Sequence, residues 1–149
     1  MKKQTYQISI HAPASEVYRI MLGKTTYKLW TAEFNPTSDF EGSWNKGDKI
    51  YFTGINAEGK KEGMVARIAE NIPDQFISIS HLGILDGEKE ITEGPMVEEW
   101  AGAHENYTFR ENNGLTTVLV EVDTSEKYLS YFDETWPKAL NRLKELCEK

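Results

Sequence analysis

Residues 125–149 read SEKYLSYFDETWPKALNRLKELCEK, and this closing stretch decides the fold. Leu129, Phe132, Trp136, Leu140, Leu143 and Cys147 recur at steps of three and four, which sets them along one side of a helix. Asp133, Glu134, Lys138, Arg142 and Glu145 fall mostly on the other sides. The spacing predicts a long amphipathic helix whose apolar face needs a partner. Thr124 or Ser125 is the expected N-cap, because a hydroxyl there can accept a bond from a free N–H of the first turn. Glu126 adds a negative charge where the helix dipole favours one. Pro137 lacks a backbone donor and crowds the carbonyl four residues back, so a bend or restart is expected near Trp136 and Pro137. The face also changes along its length: Tyr128, Leu129, Tyr131, Phe132 and Trp136 come first, and leucines follow. Leucines suit close packing, whereas aromatics can equally wall a pocket.

Upstream of the helix lies sheet. Between Ser38 and Asp123 turn residues arrive about every ten positions, and the stretches between them are rich in β-branched and aromatic residues. Strands are predicted at Asp39–Trp44, Lys49–Thr53, Glu62–Ile68, Gln75–His81, Val97–Phe109 and Leu115–Asp123. The connections at Asn45–Asp48, Asn56–Gly59, Ile72–Asp74 and Asn112–Gly114 carry antiparallel turn chemistry. Gly83 to Pro95 breaks this rhythm with glycines, a proline and acidic side chains, and is expected to be a mobile surface excursion. At the start of the chain, Tyr6, Ile8 and Ile10 alternate with polar residues from Thr5 to His11, the pattern of a half-buried strand. Pro13 stops it. Val17, Tyr18, Met21 and Leu22 then mark a short helix ending at Gly23, and Tyr27, Leu29, Trp30 and Phe34 mark a second within Lys24–Phe34.

The 149 residues suit one domain spanning 1–149, large enough to form a core without staples. With 24 acidic and 17 basic side chains the net charge is -7, which opposes attraction to nucleic acid and to anionic membrane surfaces. Cys147 is the only cysteine, so no internal disulfide can form. Met1-Lys2-Lys3 leads into polar alternation instead of an apolar signal core, and no run approaches the roughly 18 apolar residues of a membrane span. A soluble, cytoplasmic protein without membrane insertion is the expectation.

The element order admits one economical packing: an α+β arrangement in which a curved antiparallel sheet of about seven strands wraps around the long C-terminal helix, with two short helices after the first strand. Large aromatics on a curved sheet and its covering helix seldom close completely, and concave apolar interiors of this kind take small ligands. Several motifs also match a known pattern. They are Pro13-Ala14-Ser15-Glu16-Val17-Tyr18 after the first strand, Leu29-Trp30-Thr31, Phe40-Glu41-Gly42-Ser43-Trp44-Asn45-Lys46-Gly47-Asp48, the Ile72-Pro73-Asp74-Gln75-Phe76 corner, and the closing Trp136–Leu146 helix. In order and spacing they resemble the START-like (Bet v 1-like, SRPBCC) superfamily, and within it the family named for the C-terminal domain of the activator of Hsp90 ATPase. The resemblance implies the same helix-grip fold and a ligand cavity. It also implies chaperone regulation as an alternative, since some members have that role, and it carries over no catalytic signature.

His11, His81 and His104 lie on predicted strands without HxH, HxxxH or CxxC spacing, so neither metal nor cofactor is implied. Glu98, Glu99, Glu121 and Asp123 supply carboxylates for acid and base work, yet nothing in the spacing positions them. Gly42, Gly47, Gly54 and Gly59 are turn glycines without phosphate-loop spacing. The aromatics are more informative. Trp100, His104, Phe132 and Trp136 are the expected wall of the cavity, with Trp30 beside them and Tyr51 and Tyr128 nearer the mouth. His104 is the expected polar handle. The function these residues point to is binding of a small, largely apolar molecule. The alternatives are a co-chaperone-like interaction module, whose partner would be a chaperone or other protein, and a cyclase- or hydratase-type enzyme using His104 or a cavity carboxylate.

Overall fold

The structure, a computed structural model, describes residues 1–99 and 101–149, with Met96 described by its backbone alone. Strand β1 (Lys2–Ile10) leads into helices α1 (Ala14–Leu22) and α2 (Tyr27–Thr31). Strands β2 (Asp39–Gly42), β3 (Lys49–Ile55), β4 (Lys61–Ile72), β5 (Phe76–Asp86) and β6 (Lys89–Ile91) follow, then the one-turn helix α3 (Pro95–Glu98). Strands β7 (His104–Asn112) and β8 (Leu115–Thr124), a 3-10 turn at Glu126–Tyr128 and helix α4 (Leu129–Cys147) complete the chain. Every strand pairing is antiparallel, in the order β1-β8-β7-β5-β4-β3-β2. This is the α+β helix-grip architecture.

The apolar face of α4 sits where its spacing requires. Trp136, Ala139, Leu140 and Leu143 are buried against β1 and the two short helices, together with Ile10, Val17, Met21 and Trp30. The helix continues through Pro137 without a break, because burial of Trp136 before the proline and of Ala139 and Leu140 after it holds both halves to one sheet. Neither Thr124 nor Ser125 caps it: the chain enters through the 3-10 turn, and no side chain among the described residues caps the first turn.

The sheet departs from the sequence expectation in two places. Among the described residues it has eight strands, close to the expected seven or so. The extra one arises inside Gly83–Pro95, where β5 continues to Asp86, turns at Gly87 (φ 65°) and returns as β6, with Ile84 opposite Ile91. Gly83 makes this possible, since a Cβ there would lie 2.2 Å from the Ile91 carbonyl oxygen. The segment is therefore a paired hairpin, not an unpaired excursion. Finally, the strand expected over Val97–Phe109 begins only at His104. Pro95 opens α3 in its place, and Gly102 (φ 87°) turns the chain before β7. Trp100 lies outside the described residues.

Candidate functional site

Strand register decides which side chains face α4. Buried Phe40 stands opposite Phe52, Phe52 opposite Met64, and Met64 opposite Ile84. Beyond the bulge at Val65/Ala66, Ala66 stands opposite His81, Ile79 opposite Glu105, and Glu105 opposite Val122. These residues share the concave face. Where the sheet curls away from the first half of α4, it leaves a cavity of about 550 Å³, within the roughly 300–1,000 Å³ of small-molecule sites.

One side of the cavity is aromatic. Trp136 packs at its inner end against Phe34 (ring centroids 5.0 Å), Trp30 (6.0 Å) and Tyr107 (6.2 Å). Trp30 is fully buried, and its indole N–H donates to the Met21 carbonyl at 3.0 Å. Its orientation is thereby fixed. Phe132 is half-buried along the wall, while Tyr128 and Tyr131 stand exposed at the rim.

The other side is polar. His81 is 8 % exposed, and its Nε2 lies 3.2 Å from Glu105 Oε1. The Tyr107 hydroxyl donates to the second oxygen of the same carboxylate. Burial, and then the Glu105 charge, hold the Tyr107 phenol well above its ordinary pKa, so it remains a donor. Tyr27 is raised for the same two reasons in the same order. His81 Nδ1 is buried with no hydrogen-bond partner among the described residues. Among the described residues, no cluster of three His, Cys, Asp or Glu side chains could hold a metal ion.

The structure brings together Trp30, Phe132 and Trp136, with Tyr128 at the rim. His104 also reaches the rim, but its residue is exposed and its main-chain N–H donates to Asp123 Oδ2 at 3.0 Å. The interior of β7 belongs to its neighbour Glu105. Tyr51 stands on the opposite face of β3 from Phe52, with its hydroxyl donating to Glu90 and outside the cavity lining. The residues that sequence reasoning missed are His81, Glu105, Phe34, Phe52 and Tyr131. A signal for Glu105 was present: alternation counted back from Tyr107 and Phe109 faces Glu105 inward and His104 outward.

No protein-family model matches this sequence, and no curated protein matches it significantly. Solved structures do match. The Aha1 dimer from Colwellia psychrerythraea superimposes with a TM-score of 0.73 at 19 % identity, over 99 % of this chain and 97 % of that one. A protein from Nitrosomonas europaea gives a TM-score of 0.73 at 16 % identity, covering 97 % and 92 % of the two chains. CalU16 from Micromonospora echinospora gives 0.67 at 17 % identity, covering 97 % and 73 %. The chain has the START-like (Bet v 1-like) helix-grip fold, in the arrangement also seen in Aha1. At these identities the likeness extends to the fold alone.

Proposed function

We propose that this protein binds a small, largely apolar molecule in the cavity between the curved sheet and the first half of α4. The observation that carries this reading is the cavity itself: about 550 Å³, walled by aromatic residues on one side and provided on the other with a polar pair of buried His81 and half-buried Glu105. Apolar contact supplies affinity and the polar group fixes orientation. Tyr128 and Tyr131 stand exposed at the rim, where the ligand would enter.

The test is calorimetric titration with 1-naphthalenemethanol, a neutral apolar probe. Binding with a Kd in the micromolar range, about -8 kcal/mol, is expected. Ile84 lines the cavity, so Ile84→Trp fills space and should weaken the probe at least about tenfold, roughly 1.4 kcal/mol. A folded Ile84→Trp variant that binds as well as the parent, or a parent that binds nothing, overturns the reading. The second result would turn attention to the exposed rim tyrosines as a contact surface for another protein.

A further inference from the structure

The charges around the cavity all have one sign. Three carboxylates line it, from Glu62, Glu105 and Asp123, and no lysine or arginine does among the described residues. The bases present are the two imidazoles of His81 and His104. Three carboxylates against two imidazoles leave the lining negative whatever the protonation state of the histidines.

The position of the negative charge matters as much as its sign. Glu105 is 23 % exposed and faces α4 from β7, with one oxygen at His81 and the other at Tyr107. Each carboxylate oxygen has a second lone pair free to accept. Glu62, exposed at the rim, lies on the same concave face, since Gly54 stands opposite Glu62 just as Phe52 stands opposite Met64. A carboxylate facing an apolar cavity is poorly solvated, and a cation brought to it recovers electrostatic energy that a neutral group cannot. The opposing wall is compatible with the same ligand, because the half-buried ring of Phe132 lines it and aromatic rings attract cations.

We infer that the cavity selects molecules with an aromatic or aliphatic body and one protonated amine, and rejects apolar carboxylates. The inference rests on the ligand-binding reading above. In the bound arrangement the ammonium group donates to Glu105, and the body fills the space between Phe52 and Phe132. A fatty acid or an aromatic acid would place its charge against Glu105 and Glu62 with no arginine or lysine to receive it.

Three probes of one size separate the possibilities: 1-naphthylmethylammonium, 1-naphthalenemethanol and 1-naphthoate, each titrated calorimetrically at pH 7. The ammonium is expected to bind at least about tenfold tighter than the alcohol and the naphthoate weakest, an order set by charge because the rings are the same. Glu105→Gln keeps the shape and removes the charge, so the ammonium-to-alcohol affinity ratio should fall about tenfold. That ratio is insensitive to general loosening of the pocket. If Glu105→Gln does not fold, Glu62→Gln at the rim should lower the same ratio by about threefold, as befits a better-solvated charge. Equal binding of ammonium and naphthoate, or an unchanged ratio in a folded variant, overturns the inference and leaves the cavity as a neutral apolar site. Failure of all three probes removes the ligand-binding reading, and charge selection with it.

Discussion

At the scale of single residues, the most heavily committed polar group outside the cavity is Glu148, just after α4. Its Oε2 accepts the His11 main-chain N–H at 2.8 Å and lies 2.7 Å from Lys144 Nζ, which also donates to the Ser9 carbonyl at 2.9 Å. These bonds, the His11 N–H first, lower the carboxyl from its ordinary 4.5 to about 2. A lowered folded-state pKa means that the group's contribution is complete above the unfolded value and disappears as pH falls through the folded one. The window therefore runs from pH 4.5 down to about 2. Thermal midpoints should fall more steeply across that window in the parent than in Glu148→Gln. Parallel curves would mean that the C-terminal end of α4 is not held to β1 through this carboxylate. None of this was legible in the sequence, because His11 and Glu148 are 137 positions apart and only the packing of α4 brings them together. The inward face of Glu105 was legible from local alternation alone, and the same alternation leaves its neighbour His104 at the rim.

Among the elements, α4 has two functions along one stripe. Leu140 and Leu143 are 1 % and 0 % exposed in close packing, whereas Phe132 is half-buried along the cavity. Leu143→Ala should destabilise by about 2–5 kcal/mol, since the truncation leaves a void in a filled core. Phe132→Ala should cost less, because one side of its ring already faces open space. Chemical denaturation of the two variants decides this, and a larger loss for Phe132→Ala would make it a core residue. The aromatic-then-leucine order along 125–149 announced that division. The absence of a restart at Pro137 was not announced, because local propensity disfavours a helix there while the tertiary burial of Trp136, Ala139 and Leu140 overrides it. The β5–β6 hairpin was hidden for a related reason. Its glycines read as loop, yet Gly83 is there to let the Ile91 backbone approach.

Across the whole molecule, the order of strands and helices could be read from the sequence because turn residues and periodicity are local signals. The cavity's polar side could not, since it depends on register between β4, β5 and β7, including the bulge that moves His81 opposite Ala66. That same construction predicts how binding should be felt. The lining comes from α2, β3, β4, β5, β7, β8 and α4 at once, so a bound molecule ties together segments from both ends of the sheet order. A neutral probe at about 100 times its Kd should raise the unfolding free energy by about 2.7 kcal/mol if it binds only the folded state. Amide exchange should then slow together in α2, in β3 near Phe52 and in α4 near Trp136, three segments with no mutual proximity in sequence. Slowing confined to residues 128–132 would place the probe on the outer rim beside Tyr128 and Tyr131. In that case the space beneath α4 would not be the binding site, however well its volume matches a small molecule.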